Sequence, residues 1–242
     1  MKRIGLLLMV LLLCFFMTGC WNIREINSLA ITICVGIDKT ENGYRVTHQI
    51  LNPKAIASKS PKDEPAVVLY VEEGKDIFEI YRRTTTQSPR KIYNSHMRMV
   101  IISEDVAREG LKKILDFFTR DHEFRTDFYF AIAKGVSANR LLSNLTVLES
   151  IPGIEMYNSM ETSENAWAPV KSIKIVELVN DIIAEGKNPV LTAVELIDEE
   201  SSATETKALT KSFVKSKPKF TMLGAFNNDK LAGWLNEDES KG

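Results

Sequence analysis

"LAITICVGIDKTENGYRVTHQIL", residues 29–51, decides the architecture. Leu29 to Ile37 is almost wholly apolar, whereas Tyr44 to Leu51 alternates apolar and polar side chains. Asn42-Gly43 lies between them, and Asn-Gly supplies the φ > 0 conformations that a tight hairpin turn needs. The stretch therefore predicts an antiparallel hairpin. A strand apolar at every position is buried on both faces and belongs to a sheet centre, while an alternating one is half exposed.

Downstream, "NPKAIASKSPKDEP" (52–65) carries three prolines and few large apolar side chains, the composition of a linker or long surface loop. The rhythm then changes. "AVVLYVEE" reads as a strand, Lys75 to Gln87 as a helix and "MRMVIIS" as a strand. Asp105 to Thr119 reads as a helix with Val106, Leu111, Ile114, Leu115 and Phe118 on one face, "DFYFAIAKG" as a strand, and "ANRLLSN" as a short helix capped by Ser137. Alternating strands and helices imply right-handed βαβ crossovers and parallel pairing. A helical region follows from Ile151 to Ala184, its last helix "VKSIKIVELVNDIIAEG" being stopped at Gly186. Strands return in "PVLTAVELI", "KFTMLGAF" and "KLAGWL", with a mobile Ser/Thr-rich loop at 198–212 and a turn at Asn227 to Asp229.

The economical assembly is an α+β fold. Residues 20–52 and 187–242 form a discontinuous antiparallel-sheet domain that shares one sheet, and residues 53–186 form an inserted βαβ-type α/β domain. A single continuous α+β domain is the alternative.

Upstream of the hairpin, Lys2 and Arg3 precede a run from Ile4 to Met17 with no charged or polar side chain, then Thr18, Gly19 and Cys20. As a helix that run reaches only about 20 Å, short of a bilayer core of about 30 Å. A basic start, an apolar stretch and small residues before a cysteine have the form of a cleavable signal peptide over residues 1–19. The junction resembles the lipobox of bacterial lipoproteins, with Met17 in the usual leucine position. The resemblance implies a diacylglyceride on the Cys20 thiol and an N-acyl chain on the new amino terminus. One acyl chain anchors only reversibly and two do so stably. An uncleaved anchor with an incidental cysteine is the alternative.

Cleavage would leave 223 of the 242 residues, with 29 basic against 32 acidic side chains, a net of −3. A mildly acidic chain with no basic stripe argues against a nucleic-acid partner. Of three cysteines, Cys14 would leave with the signal and Cys20 would be lipidated, so Cys34 has no disulfide partner and reads as a small buried hydrophobe. There is no Gly-x-Ser-x-Gly, Walker loop or His-Glu-x-x-His. His48, His96 and His122 are isolated and lack metal-ligand spacing, so they read as surface or hydrogen-bonded structural residues. The chain is expected to hold no catalytic residue, no metal and no cofactor beyond the lipid on Cys20. Arg82, Arg83, Arg90 and Lys91 could meet anionic lipid at about 1 kcal/mol each, but they read better as a solvated helix face with cations toward its C-terminus.

Taken together, "GCWNIREINSLAITICVGIDKTENGYRVTHQILNP", "SHMRMVIISEDVAREGL", "FAIAKG", "VELVNDIIAEGKNPVL" and "LGAFNNDKLAGWLNEDESKG" resemble, in order, the Ger(x)C spore germination lipoproteins. The resemblance implies the C subunit of a nutrient germinant receptor. Such a subunit is a non-enzymatic, lipid-anchored protein on the extracytoplasmic face of the spore inner membrane, and it acts with integral membrane A and B subunits. Family members usually continue past "GWLN" into a further α/β domain, which is expected to be absent here. The rival is a solute-binding lipoprotein delivering a nutrient to a membrane partner. Such a fold needs two doubly wound lobes, which 223 residues with one βαβ series hardly supply.

Overall fold

The computed structural model describes residues 3–5, 9, 28–53, 55, 65–146, 148–166, 170–197 and 216–241. The hairpin forms where expected, from β1 (Leu29–Thr40) and β2 (Gly43–Leu51), paired from Thr40 opposite Gly43 to Thr32 opposite Ile50. Glycine is required at position 43, where φ is 152° and a Cβ would stand 2.1 Å from the Gly74 carbonyl oxygen.

β1 is also paired in parallel with β5 (Met99–Ser103), β5 with β6 (Tyr129–Ala133), and β6 with β8 (Val190–Ile197). Antiparallel strands extend this parallel centre on both sides. β3 (Val67–Gly74) adds to β2, while β9 (Lys217–Asn227) and β10 (Lys230–Leu235) add to β8. The order is β10-β9-β8-β6-β5-β1-β2-β3, with the short β4 (Lys91–Tyr93) on β1 and β7 (Ile173–Lys174) on β6. The fold is thus α+β with a large mixed sheet. The N-terminal hairpin and the last strands share that sheet, separated by β5 and β6 from the middle of the chain.

Helices cover both faces, which explains why β5 and β6 are buried at every position. On one face α1 (Ile77–Thr84), α2 (Glu104–Glu109), α3 (Lys112–Arg120) and α6 (Ile175–Ile183) pack on Val35, Ile37, Val100, Ile102, Phe130 and Ile132. The alternate side chains Cys34, Met99, Ile101, Ala131 and Ala133 meet α4 (Ala138–Leu142) and α5 (Pro152–Ala166) on the other. Under α3 the Phe118 ring contacts those of Phe117, Phe124 and Phe128, and Phe128 contacts Phe130, with centroids 4.9–5.6 Å apart. Edge-to-face and tilted pairs of this kind add about 0.5–1.5 kcal/mol each beyond burial.

Two helix expectations are corrected. The single helix over 105–119 is two, broken at Gly110 with φ 130°. The break is tertiary in origin. The β9–β10 turn docks there, so that Leu111 N–H donates to the Asp229 carbonyl (2.9 Å) and Lys112 N–H to its carboxylate (3.2 Å), and a Cβ on residue 110 would lie 2.8 Å from that carboxylate. In 170–186 only Ile175–Ile183 is helical, because Ile173 and Lys174 are drawn into the sheet beside Phe130 and Tyr129. β4 and a final helix, α7 (Glu237–Lys241), were not expected. Residues 10–27, including Cys20, and the 198–212 loop lie outside the described residues.

Candidate functional site

The end of β1, Gly36-Ile37-Asp38, organises one side of the molecule. Cys34, Gly36 and Asp38 face α4 and α5, while Val35 and Ile37 enter the opposite core. Gly36 lets α4 approach, since a Cβ there would lie 3.0–3.3 Å from Leu142 and Ala138. Asp38, 4% exposed, accepts the Ala138 N–H (2.7 Å) on one oxygen and the Asn139 N–H (2.9 Å) on the other. Burial raises its pKa, opposed by those two bonds and by Arg45. On β2, Thr47 accepts from the Asn139 side chain (3.0 Å), and Gln49 donates to the Leu142 carbonyl (3.0 Å) while accepting from Gly153 N–H (2.9 Å). Three polar side chains of one hairpin thus lash α4 and the start of α5 to the sheet.

Just beyond Asp38, at the carboxyl ends of β1, β5 and β6, lies a polar crevice of about 400 Å³. Ligands of open α/β sheets commonly bind in this position. Most of its polar groups are engaged internally. Ser103 caps α2 at Val106 N–H, Ser137 caps α4 at Arg140 N–H as the sequence predicted, Lys39 pairs with Glu109 (2.5 Å) and Arg45 with Glu73 (2.6 Å). Among the described residues, neither serine is hydrogen-bonded to a histidine or carboxylate that could serve as its base.

The larger cleft, about 590 Å³, opens between α1 and α3 over Tyr44, Phe78 and Phe117. It adjoins a second lobe of about 250 Å³ that shares Phe78, Arg82, Phe117, Asp121 and His122 and reaches Tyr81 and Asn94. The basic cluster read from the sequence is dispersed around it. Arg83 pairs with Glu72 (2.5 Å) and Glu79 (3.4 Å), Lys91 pairs with Glu123 (2.5 Å), and Arg82 lies 4.6 Å over the Phe78 ring. Arg82 and Arg83 occupy the last turn of α1, where cations favour the helix dipole.

The histidines do not converge. His96 is exposed beside Tyr93 and His122 is exposed on the α3 exit, as expected for surface residues. His48 differs from expectation. It is fully buried, neither ring nitrogen has a hydrogen-bond partner, and its ring stands edge-on to Tyr81 at 4.5 Å. Burial pulls its pKa down to about 3. Its place between Thr47 and Gln49 on an alternating strand put it on the opposite face from them, which is the signal that could have identified it. No group of three metal-ligating side chains occurs among the described residues. Cys34 is buried and free, its thiol pKa pushed up by desolvation. Also among the described residues, no helix is long and apolar enough to cross a membrane.

Residues 22–196 match the family described as "Spore germination protein N-terminal domain". Spore germination protein KC of Bacillus subtilis (strain 168) is 30% identical over 248 residues, covering 100% of this chain and 61% of that protein. Spore germination proteins A3 and B3 of the same organism are each 29% identical, over 132 and 133 residues, covering 51% and 54% of this chain and 35% and 34% of their own lengths. No solved structure gives a significant match. The chain therefore belongs to the Ger(x)C family of spore germination proteins, and it spans less than two thirds of the length of these relatives.

Proposed function

We propose that this chain is a non-enzymatic, lipid-anchored subunit of a nutrient germinant receptor, required for nutrient-triggered spore germination. It is held on the extracytoplasmic face of the spore inner membrane through acyl chains on Cys20, with integral membrane A and B subunits as partners. The observation that carries this reading is the family match from residue 22 to 196, which begins two residues past the lipobox-like Met17-Thr18-Gly19-Cys20. A domain that starts where a lipoprotein precursor would be cut suits a tethered module. The serine hydroxyls at the strand ends act as helix caps, which further supports a role by contact rather than by chemistry.

Cys20→Ala tests the anchor. The variant should lose palmitate labelling and leave the membrane fraction, or persist as an uncleaved precursor, because the acyl chains supply the stable attachment. Processing and labelling unchanged by the substitution would refute it. A strain lacking the protein should fail to respond to the nutrients read by its partner subunits yet germinate with agents that bypass the receptor, followed by loss of optical density. A normal response to all nutrients would remove the receptor role.

A further inference from the structure

We propose that the α1–α3 cleft is a binding site for a small hydrophobic carboxylate. At about 590 Å³ it falls within the roughly 300–1,000 Å³ of small-molecule sites. Its apolar wall is aromatic. Phe78, a large apolar side chain left 48% exposed, meets Phe117 edge-on at 6.2 Å.

The charges around the cleft are unequally committed. Asp76 caps α1 by accepting the Phe78 and Glu79 N–H groups, Asp116 pairs with Arg120 (2.7 Å), and Asp121 accepts the Glu123 N–H (2.9 Å). Lys75 and Lys113 line the same cleft and form no ion pair among the described residues, and Arg82 is occupied only by its stacking on Phe78. Asp76 and Asp121 keep their charge while accepting N–H groups, yet Lys75, Arg82, Lys113 and Arg120 against Asp76, Asp116 and Asp121 leave the lining at a formal charge of +1, with three cations outside any ion pair among the described residues, so the cleft favours an anion. Arg82 and Phe78 already form a cation–π pair at the mouth, which places a charge for a carboxylate directly beside a ring for an apolar body. A flat or branched hydrocarbon carrying one carboxylate satisfies both.

This site does not depend on the receptor reading, since the loss of binding and the loss of germination are measured separately. The test is isothermal titration of the full chain in nonionic detergent with 3-phenylpropionate and with 3-phenylpropan-1-ol, the same skeleton without the charge. The acid should bind with one-to-one stoichiometry and about tenfold more tightly than the alcohol, the difference a charge-assisted hydrogen bond makes. Lys113→Gln should weaken the acid several-fold and leave the alcohol unchanged, whereas Phe78→Ala should weaken both. Both positions are exposed, so the variants should retain the parent circular dichroism spectrum. Absence of acid binding at millimolar concentration, equal affinity for acid and alcohol, or acid affinity untouched by both substitutions would overturn the proposal.

Discussion

Replacing His48 by leucine should remove a large part of the acid sensitivity of the fold. The imidazole is fully buried without a hydrogen-bond partner, and desolvation lowers its pKa from 6.5 to about 3. Between those values the unfolded chain binds a proton that the folded chain refuses. Stability therefore rises with pH across this window and is lost on acidification below 6.5. At about pH 4.5, some two units below the unfolded value, the loss is roughly 3 kcal/mol at about 1.36 kcal/mol per unit. Leucine cannot take up the proton. Near pH 7 the substitution should be close to neutral, because relief of unpaired buried nitrogens, about 1–3 kcal/mol, is offset by loss of the ring contact with Tyr81, about 0.5–1.5 kcal/mol. The assay is urea unfolding of both proteins near pH 7 and near pH 4.5. Carboxylates titrate alike in both, so the difference between the two pH effects isolates position 48. It should amount to about 2–3 kcal/mol. Equal acid losses in the two proteins would refute the reasoning.

Asp38→Ala orphans the Ala138 and Asn139 N–H groups inside the molecule and should lower unfolding free energy by about 2–4 kcal/mol, read as a shift of the urea midpoint. Gly153→Ala sets a Cβ 2.7 Å from both the Cys34 Cβ and the Gln49 side-chain oxygen, neither free to retreat within the sheet, and should cost about 1–3 kcal/mol by thermal melting. His96→Ala removes an exposed side chain outside the cleft, so spores carrying it should keep normal membrane abundance and a normal nutrient response by optical density.

What the sequence determined was local or periodic in origin. The Asn42-Gly43 hairpin, the buried strands at 99–103 and 129–133, and the Ser137 cap are all visible in neighbouring residues, because turn chemistry and alternation act over two to four positions. The ordered motifs from Trp21 to the "GWLN" strand carried the family.

Only the tertiary structure decided what depends on approach between distant segments. Gly110 could pass for an ordinary interruption of an amphipathic helix until Asp229, 119 positions away, took the place of the next helical partner. Ile173 and Lys174 continue a helical pattern, yet Phe130 and Tyr129 offered them a sheet edge. Asp38 in "GID" carries no sign that its oxygens cap a helix 100 residues later, and His48 no sign that the Tyr81 ring closes over it. The cleft belongs with these, since Phe78 and Phe117 face each other only because α1 and α3 lie side by side on the sheet. Hydrophobic periodicity states which face of an element is buried, but it is silent on what lies against that face. Long-range hydrogen bonds and steric fit supply that second half.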